Sequence, residues 1–215
     1  MVGRVWSHKS PVPMPYFMQL ALLVPRGPHS PKHLKQILLP QSGERILEIG
    51  PGVGVHALPI ANSLMPDGVL HVLDVQREML VDLARRAARK GLANIVPAQG
   101  DAQKLPYADR AFDAAYVIGV LGEIPDAVAA LRELRRVLKP RSRLVISELI
   151  IDPDFLSLAA LREKARGADF VFERSSGPRW AYSALFRPAC ALPFGVTDSA
   201  DLAGLKFFRM GAFHE

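Results

Sequence analysis

Residues 45–54 read R-I-L-E-I-G-P-G-V-G, and this stretch decides the fold. Arg45 to Ile49 is a short apolar run with β-branched content, the pattern of a buried strand. Gly50, Gly52 and Gly54 follow at once. From Val55 the chain (V-H-A-L-P-I-A-N-S-L) takes on a helical period. Strand, glycine turn and helix make the first half of a nucleotide-binding βαβ unit. Glycine suits the turn because a side chain would hold a ligand away from the backbone and resist positive φ. A plain tight turn has the same composition, so the neighbouring stretches must decide between the two.

Two common ligand classes fit poorly. A dinucleotide site wants G-x-G-x-x-G or A, and the last position counted from Gly50 is Val55, which argues against an NAD-dependent oxidoreductase. A P-loop needs Gly-Lys-Ser/Thr, which is absent. Further along, Met65-Pro66-Asp67-Gly68 is a turn and Val69 to Leu73 a second strand, with Asp74 at its carboxyl end. Asp74 lies about twenty residues past the glycine turn, where an acidic side chain accepts from ribose hydroxyls. The other reading of Asp74 is a helix N-cap. The helix Gln76 to Lys90 ends at Gly91. Asn94 to Gln99 is the third strand, and at its end Gly100-Asp101-Ala102 supplies a carboxylate able to accept from an exocyclic amino group such as adenine's.

The alternation continues. Phe112 to Ile118 is the fourth strand, Asp126 to Leu138 an amphipathic helix stopped by Lys139-Pro140, and Arg143 to Ile150 the fifth strand. Pro153 to Arg166 reads as a helix. Ala168 to Arg174 and Trp180 to Phe186 read as a hairpin joined through Ser175-Ser176-Gly177-Pro178. The fold class is therefore α/β, a doubly wound and mostly parallel sheet whose terminal hairpin inserts an antiparallel strand.

At 215 residues and 49% apolar content the chain suits one domain with small additions. Residues 1–41 form a proline-broken N-terminal arm with helical pieces at Tyr16 to Val24 and from Ser30-Pro31 to Leu39. Trp6, Tyr16, Phe17 and Met18 make the arm apolar, for packing onto the domain or for a lid over an apolar substrate. Residues 42–187 are the main domain, and 188–215 are an extension of weak periodicity and unknown structure. Net charge is +6, carried largely on helical stretches such as Arg85-Arg86 and Arg135-Arg136, which reads as solvated faces rather than a nucleic-acid patch. The single cysteine, Cys190, allows no internal disulfide and no multi-cysteine metal site; a reducing, cytoplasmic setting follows. Met14 to Val24 is apolar but too short to span a bilayer, so it is read as a cap on a pocket, with peripheral membrane contact the other reading. Oligomeric state is not legible.

Taken together, Leu47-Glu48-Ile49-Gly50-Pro51-Gly52-Val53-Gly54, Val72-Leu73-Asp74-Val75, Gly100-Asp101-Ala102, Leu105-Pro106-Tyr107 with Phe112-Asp113, and Leu131 to Pro140 (L-R-E-L-R-R-V-L-K-P) resemble the class I S-adenosylmethionine-dependent methyltransferases. Within them the chain resembles the ubiquinone/menaquinone-biosynthesis-like group, the "methyltransferase 11" type, over roughly residues 43 to 187. The resemblance implies a seven-stranded sheet of order 3-2-1-4-5-7-6. It implies S-adenosylmethionine as cofactor, with Glu48, Gly50, Gly52 and Gly54 around the methionine part and Asp74 on the ribose. Asp101, between Gly100 and Ala102, would lie near adenine, Val75 and Gln76 would flank the adenosine, and Val117 would bring backbone close. An acidic residue at a strand end can meet the ammonium, and bare amides near a helix N-terminus suit the carboxylate.

There are departures. Many relatives carry a polar residue at the position of Val117 or Ile118 and histidines at Gly122-Glu123; Pro51 replaces a commoner Cys or Ala. Pro59, inside the first helix after the glycine turn, is expected to kink it. The expected reaction is methyl transfer to a small, apolar or aromatic acceptor by in-line displacement, chiefly a matter of alignment and water exclusion. If a base is needed, the candidates are Glu123, Glu148 and His56, although Glu148 reads equally as a structural carboxylate and His56 as a helix-surface histidine. No metal constellation is visible. The motif for methylating exocyclic amino groups of nucleic acids is absent after strand four, where residues 117–123 read V-I-G-V-L-G-E. The alternatives are a non-catalytic S-adenosylmethionine-binding module and a methyltransferase acting on protein or RNA.

Overall fold

A computed structural model describes residues 29–189. The expected helix at Tyr16 to Val24, the aromatic residues of the arm, and Cys190 with the rest of the C-terminal extension lie outside the described residues. The chain runs α1 (Pro31–Leu38), β1 (Arg45–Ile49), α2 (Ala57–Leu64), β2 (Val69–Asp74), α3 (Arg77–Arg89), β3 (Ile95–Gln99) and β4 (Phe112–Ile118). It continues through α4 (Ala127–Val137), β5 (Leu138–Leu149), α5 (Leu158–Arg166), β6 (Phe170–Ser176) and β7 (Ala181–Pro188).

The strands form one sheet of order β3-β2-β1-β4-β5-β7-β6. β1 through β5 pair in parallel, while β7 runs antiparallel to both β5 and β6. Strand polarity alternates side chains between the two faces. Leu47 and Ile49 of β1 join an apolar cluster with Leu131 and Leu134 of α4 and Leu161 of α5. Ile46 faces the other way, into a cluster with Leu34 and Leu38 of α1, Ile60 of α2 and Leu83 of α3. A sheet covered on both faces explains why β1 and β4 are near-continuous apolar runs. Strand order reverses between β1 and β4, and in such sheets the crevice for ligands opens outside the carboxyl ends at that point.

Local chemistry fixes the helix starts. Ser30 caps α1 by accepting from the His33 amide at 3.3 Å, with Pro31 as first helical residue. Asp126 caps α4, its Oδ1 accepting from the amides of Val128 (3.0 Å) and Ala129 (2.9 Å). Helix α1 buries Leu34, Ile37 and Leu38 beneath the sheet near Val145 and Leu185.

Several boundaries differ from the sequence reading. Helix α2 begins at Ala57, so Pro59 falls in its first turn, where the missing N–H has no intrahelical partner to lose; the expected cause of a kink is absent. Strand β5 begins at Leu138 rather than Arg143, because Leu138 is already extended and pairs with Phe112. Pro140 pushes residue 139 out of helical geometry, so the chain passes from α4 into a strand without a loop. Helix α5 begins at Leu158 under a Ser157 cap, and the stretch from Pro153 is a loop. That loop is pinned at Leu156, whose amide is accepted by Glu148 Oε2 (3.3 Å) and whose carbonyl accepts from the Tyr182 hydroxyl (2.7 Å).

Replacing Asp126 by Ala removes both cap bonds of α4, and a loss of about 1 kcal/mol in urea unfolding is expected. A variant with unchanged midpoint would show that the cap does not hold α4.

Candidate active site

The glycine turn is shaped by backbone conformation. Gly50, Gly52 and Gly54 all have positive φ (66°, 52° and 87°). The Gly50 amide donates to Leu73 O at 2.9 Å, tying the turn to β2. A Cβ on Gly50 would fall 2.6 Å from a Val120 methyl, so the bare backbone is also required by the loop after β4. This is a cradle that a side chain would fill.

Two acidic side chains meet beside the cradle. Asp74, at the end of β2, is buried and accepts from the amides of Gln76 (2.9 Å), Gly52 and Val75. Burial raises its pKa, and those amide bonds pull it back. Glu48 is 2% exposed and accepts a 2.7 Å bond from the Tyr116 hydroxyl on β4. Burial pushes the Glu48 carboxyl up to about 8, the Tyr116 bond opposes the rise, and the Asp74 charge adds to it. Val75, next to Asp74, is an exposed apolar side chain, and its carbonyl accepts from Gln99 Nε2 at 3.0 Å.

Asp101 is arranged differently. Its carboxylate turns back on its own loop, accepting from the Gln103 amide (2.8 Å) and from Gln103 Nε2 (2.9 and 3.1 Å). Gln103 Oε1 in turn accepts from the Asp126 amide at 3.1 Å, linking this loop to the start of α4. The Gly100 amide donates to Asp74 O at 3.0 Å, so the loop lies beside Asp74. Ala102 and Val117 are buried in the α4–α5 cluster, so only their backbone can border a ligand. The geometry thus brings Glu48, Asp74 and the glycine turn together, with Val75, Gln76 and Gly100 alongside, and holds the Asp101 carboxylate in a turn.

The three base candidates occupy different settings. Glu148, on β5, is 1% exposed, and its carboxyl is pushed up to about 8 by burial, with the charges of Asp152, Glu123 and Asp154 adding to the rise and the Leu156 amide opposing it. Glu123 sits in a 3-10 turn, Leu121–Glu123, after β4. His56 is the residue preceding α2, and its Nε2 lies 2.8 Å from His29 O. His29 Nε2 lies 2.8 Å from Glu148 O. A carbonyl only accepts, so both Nε2 atoms carry the proton, and two imidazoles bridge from the glycine turn to the end of β5.

Sequence reasoning missed Tyr116, His29, Asp152 and Asp154. Tyr116 is the sole hydroxyl in an apolar strand, which is a faint signal. Its pairing with Glu48 follows from the β1–β4 register, which places the two residues opposite each other.

Residues 40–176 match the family model described as "Methyltransferase domain", and the chain belongs to that family. The chain is similar to the ubiquinone/menaquinone biosynthesis C-methyltransferase UbiE of Pseudomonas putida, 37% identical over 109 residues, 50% of this chain and 43% of that protein. It is similar to the 27-O-demethylrifamycin SV methyltransferase of Amycolatopsis mediterranei, 33% identical over 128 residues, 59% of this chain and 46% of that protein. These matches span less than half of the relatives' own lengths. A solved S-adenosylmethionine-dependent methyltransferase from Aquifex aeolicus superposes with a TM-score of 0.75 at 18% identity, over 82% of this chain and all of that one. The fold is therefore the Rossmann-like α/β methyltransferase fold, and the cofactor that family and fold imply is S-adenosylmethionine. Among the described residues, no helix is long and apolar enough to cross a membrane.

The buried acid on β5 has a measurable consequence. Glu148 is neutral in the native state up to about pH 8, but ionises in the ordinary carboxyl range once unfolded. Its folded pKa is raised, so the native state is favoured at low pH and loses that stability as pH climbs through about 8. Thermal unfolding of Glu148→Gln should gain on the wild type as pH rises from about 5 to about 8 and level off above that, the slope being the readout rather than any constant offset. A difference independent of pH would refute a neutral Glu148.

Proposed function

We propose that the chain is an S-adenosylmethionine-dependent methyltransferase acting on a small acceptor with an apolar or aromatic body. The observation that carries this reading is Asp74. Its carboxylate is held by three main-chain amides at the mouth of a side-chain-free turn, beside the exposed Val75. A carboxylate has roughly four lone-pair sites, so Asp74 keeps capacity for a ribose hydroxyl while the amides fix its direction.

Bound S-adenosylmethionine supplies an activated methyl group on a sulfonium. The residues of this chain do the rest. Gly50, Gly52 and Gly54 let the backbone approach the methionine portion. Glu48 would balance its ammonium, a group whose charge favours the ionised form of a carboxyl that burial otherwise keeps neutral. Val75 offers an apolar edge to the adenosine. The turn Leu121–Glu123 and the loop after β5 border the crevice where the acceptor would lie, and their role is to orient it and keep water out. The apolar body is supported by Ile150, Ile151 and Trp180, exposed large side chains at the carboxyl end of β5, where the Ile150 amide donates to Trp180 O. Curated relatives include enzymes named for transfer to carbon and to oxygen, so the acceptor atom stays open between them.

Calorimetric titration with S-adenosylmethionine, with NAD as the control, tests the site directly; binding of the first alone is expected. Asp74→Ala should weaken S-adenosylmethionine by about 1–3 kcal/mol. Unchanged affinity in the folded variant would refute the ribose role. Labelled cofactor offered with pooled phenols and quinols, protein or RNA should label the small molecules; labelling of RNA or protein alone would overturn the acceptor class.

A further inference from the structure

The Tyr116 hydroxyl has one hydrogen-bond partner among the described residues, the Glu48 carboxyl. Tyr116 lies on β4 and Glu48 on β1, opposite each other in the parallel register. Tyr116 is fully buried, in the apolar cluster that includes Ile46, Ile60 and Leu83. A tyrosine in such a place brings an apolar ring and a hydroxyl that needs a partner. The partner it has is an unfavourable one to bury. Desolvation pushes the Glu48 carboxyl up to about 8, even with the Tyr116 bond opposing the rise. A main-chain carbonyl or an amide side chain would satisfy the hydroxyl with no ionisable group to desolvate. A carboxyl at this position is explained by a second partner that carries positive charge.

The geometry leaves an oxygen for that partner. The hydroxyl has a single hydrogen and gives it to Oε2 at 2.7 Å. Glu48 takes no other hydrogen bond among the described residues, so Oε1 keeps its lone pairs. Glu48 also stands beside the cradle. It lies two residues before Gly50, whose amide donates to Leu73 O, and the Asp74 charge acts on it.

The segment after β4 is closely fitted on both sides. A Cβ on Gly50 would fall 2.6 Å from a Val120 methyl, and one on Gly122 would overlap Asp154 O. The strand that carries Tyr116 is thus seated against the glycine turn and against the loop after β5. With its ring packed in the apolar cluster, Tyr116 gives the bond to Glu48 a fixed direction. A hydrogen bond donated to a carboxylate favours the ionised form as well as orienting it.

We infer that Tyr116 is a positioning residue for the amino-acid end of the cofactor: its hydroxyl holds Oε2 of Glu48, so that Oε1 is presented to the ammonium. This rests on the methyltransferase reading and on Glu48 as the partner of that ammonium. What it adds is a determinant of selectivity. Tyr116 acts through the Glu48 carboxylate alone, so ligands that carry the ammonium depend on the hydroxyl and ligands that lack it do not.

Calorimetry on the full chain compares S-adenosylhomocysteine, the demethylated cofactor, with desamino-S-adenosylhomocysteine, the same molecule without its ammonium. The wild type should bind the first at least tenfold more tightly. Tyr116→Phe keeps the ring and removes the hydroxyl. It should weaken S-adenosylhomocysteine about tenfold, the worth of a hydrogen bond to a charged group, and change the desamino analogue less than twofold. A tyrosine that only supports the fold would lower both alike. Glu48→Gln keeps an acceptor for the hydroxyl and should also remove the preference; adding Tyr116→Phe to it should weaken S-adenosylhomocysteine by less than a further twofold. A wild type with no preference, a preference that survives Tyr116→Phe or Glu48→Gln, or equal losses for the two ligands overturns the inference. Where Tyr116→Phe does not fold, a ring-fluorinated tyrosine at position 116 keeps the bond and strengthens the donor; the preference should rise, and an unaltered preference overturns the inference. A wild type that binds neither ligand sinks the methyltransferase reading instead, so the two failures are distinguishable.

Discussion

Desolvated carboxyl groups at one end of a parallel sheet are the constraint on which this molecule turns. Glu48, Asp74 and Glu148 are buried at the ends of β1, β2 and β5, and each has its pKa raised by that burial. An uncompensated buried charge is too expensive to keep, so each group must be neutral, bonded or matched by a ligand. The structure uses different remedies. Asp74 is held by three amides, Glu48 by the Tyr116 hydroxyl, and Glu148 by a single long amide bond.

The fold makes such placement affordable. Two apolar clusters, one on each face, carry the stability, so a few polar groups at the strand ends can be left strained or neutral without loss of the native state. Charge networks far from the crevice are conventional by contrast. Arg136 joins Glu133 and Asp109 and donates to the carbonyls of Leu105 and Tyr107, fixing the segment between β3 and β4 against α4. Arg143 meets Glu44 with both partners largely buried, closing the opposite end of the sheet.

Much of this was legible in the sequence, for identifiable reasons. The glycine turn was readable because positive φ at Gly50, Gly52 and Gly54 restricts the residue type. The strand cores were readable because parallel strands covered on both faces are unbroken apolar runs. Asp74 was readable as the acid at the end of β2 from its distance to the turn, and it accepts from the amide of Gln76, the residue that precedes α3. Long-range partners were not readable: Tyr116 stands opposite Glu48 only through register between strands 68 residues apart. Asp101 was readable as the acid after β3, but the bonds it accepts from Gln103, which turn its carboxylate back on its own loop, were not. The stretch from Pro153 resembled a helix start, while the bond from Leu156 to Glu148 holds it as a loop and defers α5 to Leu158.

The near-contact of Gly122 with the main chain of Asp154 has one more implication. The segments that follow β4 and β5 are fitted together so closely that neither can be lengthened or thickened alone. Divergence toward a different small molecule would therefore require coordinated rewriting of both segments, with the residue at 122 left without a side chain.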